Sequence, residues 1–334
     1  MKLVQKKKFN LALTTFLQTS LMILIMNSAH AGWTTDSYNG PLGTRTYKVF
    51  TPKNLAKNKK YPVVVMLHGC QQDASEFAVG TRIEKWAEKE KFIALFPEQN
   101  IMLNPFKCWN WIIPANNSRY GEAQVIIEML DAVIEKFNGN ENLVFAAGMS
   151  AGASMVSILG NCYPERFKAL GSHDGTQFYS SYAGLDFAEV VLTGASVPSG
   201  ISARYGHACS KLIQNRPTQM PIIIFHGMRS PLMSPMHAFQ VESEMKAFND
   251  YLDNDLRDNS YFLEKDVINV PDTKTYGYNL YTTTNVNHEI IIERYMINNL
   301  SHAWSGGVAN LPYNDPKGPD ASALIFEFFN RFGL

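Results

Sequence analysis

An α/β fold, a mostly parallel doubly wound sheet in a single domain, is what this sequence predicts. Short β-branched and apolar runs alternate along the chain with segments of helical periodicity, which is the pattern of a parallel sheet covered on both faces. The polar, glycine-bearing motifs fall where those runs end, and in such sheets ligand chemistry sits at the C-terminal ends of the strands. No Pro/Gly/Ser-rich linker, charge block or internal repeat divides the 334 residues.

The elements follow in order. Tyr61–Leu67 (YPVVVML) is a continuous apolar run suited to a buried parallel strand. Residues 80–91 carry Ile83, Trp86 and Ala87 on one helical face, and 92–96 form a short buried strand. Glu122–Phe137 is a longer amphipathic helix, 142–147 a strand and 151–160 a helix. Further strands are expected at 167–172, 220–225 and 289–297, and a closing helix at 321–332.

The first residues stand apart. Lys2, Lys6, Lys7 and Lys8 precede an apolar stretch densest at 21–26, and Ala29-His30-Ala31 is a small-x-small cleavage signal. Residues 1–31 therefore read as a secretory signal peptide and 32–334 as one folded domain. An uncleaved anchor is the alternative, but Thr14, Thr15, Gln18, Thr19 and Ser20 interrupt an apolar core already short of the ~20 residues a span needs. The expected product is secreted or periplasmic, with no membrane anchor after cleavage. It carries 26 basic against 30 acidic residues, a balance that gives no electrostatic case for nucleic acid. Its four cysteines, Cys70, Cys108, Cys162 and Cys209, suggest two disulfides in an exported chain, with three pairings open. No C-x-x-C or adjacent His pair indicates a metal site. One domain uses up the chain, so a soluble substrate is expected over a solid one, which a single domain would have to bind through its own apolar patch.

The chemistry is carried by three motifs. Gly148-Met149-Ser150-Ala151-Gly152 is G-x-S-x-G between a strand and a helix. In a glycine-rich turn the pentapeptide alone could be chance. Between strand and helix it marks a nucleophile elbow, which lifts the Ser150 hydroxyl above the sheet at a helix N-terminus. His68-Gly69-Cys70 ends the strand at 61–67, where an early loop supplies one oxyanion N–H and the residue after the nucleophile supplies the other. That nominates the main-chain N–H groups of Cys70 and Ala151, and leaves His68 as a structural imidazole. Ser301-His302-Ala303-Trp304 follows the last strand, where the general base of an α/β-hydrolase lies. His302 is placed there; His288 is at the wrong end of the sheet, and His226, His173 and His207 read as structural or pocket residues. Trp304, Trp109 and Trp111 are candidates to line an apolar cleft, core packing being the alternative for each. The chemistry needs no cofactor, and the partner is an ester substrate.

Leu67-His68-Gly69-Cys70-Gln71-Gln72, Cys108-Trp109-Asn110-Trp111, the G-x-S-x-G segment and His302-Ala303-Trp304-Ser305-Gly306-Gly307 together resemble the polyhydroxybutyrate (PHB) depolymerase family of esterases, as does Asp315-Pro316-Lys317-Gly318-Pro319-Asp320. The resemblance runs from about residue 46 to the C-terminus and implies an α/β-hydrolase fold and serine esterase activity. Family substrates include polyhydroxybutyrate, feruloyl esters and acetylxylan. It also implies a Cys70–Cys108 bridge, leaving Cys162 with Cys209. One departure stands out. The family places its acid in an H-G-x-x-D pattern, whereas here His226-Gly227-Met228-Arg229 is followed by Ser230. Where the family has His-Ser-Gly, this chain reads His173-Asp174-Gly175, so the expected acid moves to Asp174. A Ser-His dyad oriented by Ser230, a mere turn role for Asp174, and Asp186 as a less well-placed acid are the alternatives, along with a hydrolase-like binding protein that has lost catalysis.

Overall fold

The computed structural model describes residues 31–40 and 42–334; the expected signal peptide lies outside them except for Ala31. The chain runs β1 (Gly32–Gly40), β2 (Gly43–Thr51), β3 (Tyr61–Leu67), α1 (Ala74–Thr81), α2 (Ile83–Glu90), β4 (Ile93–Pro97), α3 (Glu122–Phe137) and β5 (Gly139–Met149). It continues α4 (Ala151–Cys162), β6 (Ala169–His173), α5 (Phe187–Thr193), α6 (Ser199–Ser210), β7 (Ile222–Gly227), α7 (Met236–Asn254), β8 (Phe262–Val270), β9 (Tyr278–Asn285) and β10 (Ile290–Ile297). The last elements are β11 (Trp304–Ser305), β12 (Asn314–Asp315) and α8 (Ala321–Asn330).

Ten strands form one sheet in the order β1-β2-β4-β3-β5-β6-β7-β10-β9-β8. The stretch from β4 to β10 is parallel throughout. Antiparallel pairs flank it on both sides, β1-β2 against β4 and β9-β8 against β10. The doubly wound class is thus observed, with a larger mixed sheet than the apolar runs alone indicated. Strand β3 explains the layering: Val63, Val65 and Leu67 enter one core with α3, α4 and α7, while Val64 and Met66 enter the other with α1, α2 and α8. A strand buried on both faces needs no alternation, which is why its sequence reads as an unbroken apolar run.

Two helix expectations change. The helix expected at 80–91 is two helices. Asp73 caps α1 in a reciprocal capping box with Glu76, and Arg82, with φ 55°, breaks the chain before α2. The long helix α7 was not anticipated. Its buried face includes Glu242, Glu244 and Asp250, and these acids blur the apolar stripe that marks a helix. Among the described residues no helix is long and apolar enough to cross a membrane.

Candidate active site

The nucleophile elbow comes from steric limits on the turn between β5 and α4. Ser150 has φ 55° and ψ −123°, a strained conformation for a side-chain-bearing residue. A Cβ on Gly152 would approach Leu67 O to 2.1 Å, and one on Gly148 would approach Gly152 C to 2.6 Å. Only glycine allows both close approaches. The Ser150 N–H donates to His173 O at 2.8 Å, which ties the elbow to the end of β6.

The next residue after His173 is Asp174. Its backbone sits at φ 51°, and its N–H donates to Phe225 O at 2.9 Å, placing it between the ends of β6 and β7. The side chain is fully buried. Its Oδ2 accepts from His302 Nδ1 at 3.1 Å and its Oδ1 accepts from the Gly227 N–H at 3.0 Å. Burial opposes the charge of Asp174, but the surrounding imidazoles of His226, His302 and His173 hold its carboxyl well below the usual carboxylate range. His302 lies on the loop after β10. That loop is held against the β7 end by the Met228 N–H on Ile297 O at 2.9 Å and the Arg229 N–H on Leu300 O at 3.0 Å. With Nδ1 donating to Asp174, the lone pair of His302 is on Nε2, the state a general base needs.

Ser230, at the position where the family pattern has its acid, keeps its Oγ 3.4 Å from His302 Nδ1 and accepts the Met233 N–H at 3.1 Å. The carboxylate of Asp186 is occupied by the Ser181 and Ser196 hydroxyls, away from His302.

The Cys70 segment, the candidate oxyanion loop, is anchored from two sides. Cys70 and Cys108 are disulfide-bonded, as are Cys162 and Cys209. The Gly69 N–H donates to Gln72 Oε1 at 2.9 Å and the Gln71 N–H to Phe106 O at 2.7 Å, so both are engaged in holding the loop. His68 is structural: Nδ1 lies 2.8 Å from Gly69 O, Nε2 accepts the Gln99 N–H at 3.1 Å, and burial lowers its pKa to about 4. Glu122, at the start of α3, accepts from the Asn110 N–H at 2.7 Å, Asn110 Nδ2 at 2.8 Å and Gln99 Nε2 at 2.5 Å. This carboxylate positions the Cys108-bearing loop. Sequence reasoning missed it because a glutamate in the first turn of a helix reads as ordinary dipole compensation.

A cleft of about 300 Å3 contains Ser150 and His302, together with Gly69, Cys70, Gln71 and Gln72. Its apolar wall is formed by Phe106, Phe187, Val191, Leu232, Met233 and Tyr313. The three tryptophans expected to line it do not. Trp304 and Trp109 are 1% exposed and Trp111 4%. Trp304 stacks on His173 at 5.1 Å and donates from Nε1 to Ser322 Oγ at 3.0 Å. Trp109 packs beside His68, and Trp111 lies behind Phe187, which takes the cleft position instead. Large indoles next to a site complete its core when a smaller ring can cover them. Among the described residues no group of three or more His, Cys, Asp or Glu side chains could hold a metal ion.

The arrangement suits acyl transfer: a serine on a strained elbow, an imidazole oriented by a buried carboxylate, and an apolar cleft. Comparison with known proteins bears on that chemistry. Feruloyl esterase B of Thermothelomyces thermophilus is 27% identical over 227 residues, 65% of this chain and 74% of its own length. Poly(3-hydroxyalkanoate) depolymerase C of Paucimonas lemoignei is 34% identical over 110 residues, 32% of this chain and 26% of its own. An acetyl xylan esterase from Aspergillus awamori shares the fold with a TM-score of 0.65 at 17% identity, over 89% of this chain and 99% of that one. The family model described as Esterase PHB depolymerase matches residues 45–260, more than half of the sequence. The chain thus belongs to the PHB depolymerase family of esterases, and it is a carboxylic-ester hydrolase.

Proposed function

We propose that the protein is an exported serine esterase acting on short-chain hydroxyalkanoate esters, polyhydroxybutyrate oligomers foremost, through an acyl-enzyme on Ser150. The observation that carries this reading is the 3.1 Å contact of His302 Nδ1 with Asp174 Oδ2 beside the cleft that holds Ser150. His302 Nε2 takes the proton of the Ser150 hydroxyl as Oγ attacks the ester carbonyl. The carbonyl electrons move onto the oxygen, which the Cys70 and Ala151 N–H groups receive. Collapse breaks the bond to the alcohol, which leaves with the proton from His302. Water then repeats the sequence on the acyl-enzyme, releasing the acid and freeing Ser150.

The cleft wall favours an aliphatic acyl or polyester chain, because Phe106, Phe187, Val191, Leu232 and Met233 offer it no charge. A feruloyl or acetylxylan esterase is the second reading, supported by the relatives of those activities. Export is supported by the n-region, apolar stretch and cleavage signal before residue 32 and by the two disulfides.

The experiment is a panel on purified protein of p-nitrophenyl butyrate, hydroxybutyrate oligomers, feruloyl esters and acetylated xylan, with labelling by a serine-directed phosphonate and Ser150→Ala as the control. Hydroxybutyrate oligomers should give the highest kcat/KM. Preference for feruloyl or acetylxylan esters would move the assignment to the second reading. Absence of both turnover and labelling would leave a binding protein on a hydrolase scaffold.

A further inference from the structure

Three buried imidazoles surround one carboxylate, and the triad uses only one of them. Besides His302, Asp174 is approached by His226 Nδ1, 3.2 Å from Oδ1, and by His173 Nδ1, 3.9 Å from Oδ2. Both of these nitrogens are buried and make no hydrogen bond among the described residues, so their approach to Asp174 is a charge contact rather than a hydrogen bond. His173 is already accounted for. Its Nε2 accepts the Ser305 N–H at 3.1 Å, and its ring is stacked between Trp304 and Phe225.

His226 is different. Its Nε2 faces Met233 O at 3.1 Å, and a carbonyl oxygen only accepts, so Nε2 carries a hydrogen. A neutral ring with its hydrogen there would aim the Nδ1 lone pair at Asp174 Oδ1. The contact is attractive only with a second hydrogen on Nδ1, so the ring that satisfies both neighbours is an imidazolium paired with the Asp174 carboxylate. A fully buried carboxylate needs such compensation, since an unpaired charge in the interior is costly.

Resting on the reading of Asp174 as the triad acid, we propose that His226 is a positioning residue for catalysis: with the Gly227 N–H it clamps Asp174 Oδ1, leaving Oδ2 to orient His302. The clamp follows from the moved acid. His226 is the penultimate residue of β7, and β6 pairs with β7 in parallel register through His173 and Phe225, so a carboxylate at 174 meets the side chain at 226. The same ring also holds Met233, a wall residue of the cleft, through its carbonyl. A purely structural role for His226 would act through that second bond.

Two substitutions separate the roles. An Asn amide nitrogen reproduces the place of Nδ1, and a Gln amide nitrogen that of Nε2. His226→Asn keeps the donor to Asp174 and gives up Met233; His226→Gln does the reverse. The expected result is His226→Gln with kcat lowered about 10- to 100-fold at nearly constant KM, the size of effect that misplacing a catalytic group produces. His226→Asn is expected to keep kcat within about threefold. The opposite ranking, or a change in KM alone, would overturn the proposal. Asp174→Asn is assayed alongside. Near-normal turnover there defeats the reading of Asp174 itself, whereas an impaired Asp174→Asn with an unimpaired His226→Gln defeats only the clamp. Histidine-labelled wild-type enzyme gives an answer that needs no variant to fold: one-bond 1H–15N correlations are expected from both ring nitrogens of His226, and an unprotonated Nδ1 would refute the pairing.

Discussion

Asp174 Oδ2 lies 3.1 Å from His302 Nδ1 although the two residues are 128 positions apart. The parallel neighbours β6, β7 and β10 bring them together, since each strand delivers the segment that follows it to the same end of the sheet. His302 is thereby contacted from β6, the strand next to β5, at whose end Ser150 stands.

Replacing that carboxylate tests the arrangement directly. Asp174→Asn should lower kcat by on the order of 10³–10⁴ while leaving the fold intact, because the amide no longer selects the tautomer that bares Nε2. Steady-state kinetics with circular dichroism as the folding control make the measurement. A variant within tenfold of the parent enzyme would mean that His302 is oriented by something else.

Ser230 gives the complementary case. At 3.4 Å from His302 Nδ1 it is a weak second acceptor that is also engaged by the Met233 N–H. Ser230→Ala should therefore keep turnover within about tenfold of normal. In the Asp174→Asn background, Ser230→Asp returns a carboxylate to the position used in the family pattern and should recover at least about tenfold of the lost kcat. No recovery would show that the loop at 230 no longer presents a side chain productively.

The Cys70–Cys108 bridge joins the oxyanion loop to the loop held by Glu122 across 38 residues. Closing a loop of that length contributes on the order of 4 kcal/mol in the chain-entropy model. Reduction, or Cys108→Ser, should lower the melting temperature and esterase activity together. Alkylation of Cys70 or Cys108 in the native, unreduced protein would contradict the bonded pair.

Glu244 on α7 should make stability depend on pH. Burial pushes its pKa up to about 8, only partly countered by the Asn161 side chain. The folded protein thus holds a proton on this acid that the unfolded chain, with an ordinary glutamate near 4.5, gives up. The stabilisation is complete below the unfolded value and is lost as pH rises from there through about 8. Glu244→Gln stays neutral throughout. Thermal melts at pH 5 and pH 8 should show the variant gaining on the parent at the higher pH by on the order of 5 °C. Parallel pH profiles for the two proteins would place the titration elsewhere.

The sequence by itself determined the parallel core, the strand-to-helix turn at Ser150, the loop at Cys70 that follows β3 and the loop carrying His302. Each is a demand of local backbone geometry, written in contiguous residues: the unbroken apolar run of 61–67, and glycines at 148 and 152 where a Cβ cannot fit. The outer strands were less legible. β1, β8 and β9 lie outside the doubly buried parallel centre, and residues such as Thr282, Thr283 and Thr284 carry little apolar signal. Asp174 was raised as a candidate by two paired departures from a family pattern, but its contact with His302 depends on strand register and on a loop far along the chain. The tryptophans show the same limit from the other side. Trp304 stands two residues from His302 yet turns into the core, because His173 and Ser322, brought there by β6 and α8, give its ring a stacking partner and its N–H an acceptor. Tertiary structure alone decided which face each of these side chains took, since the groups that hold them come from distant parts of the chain.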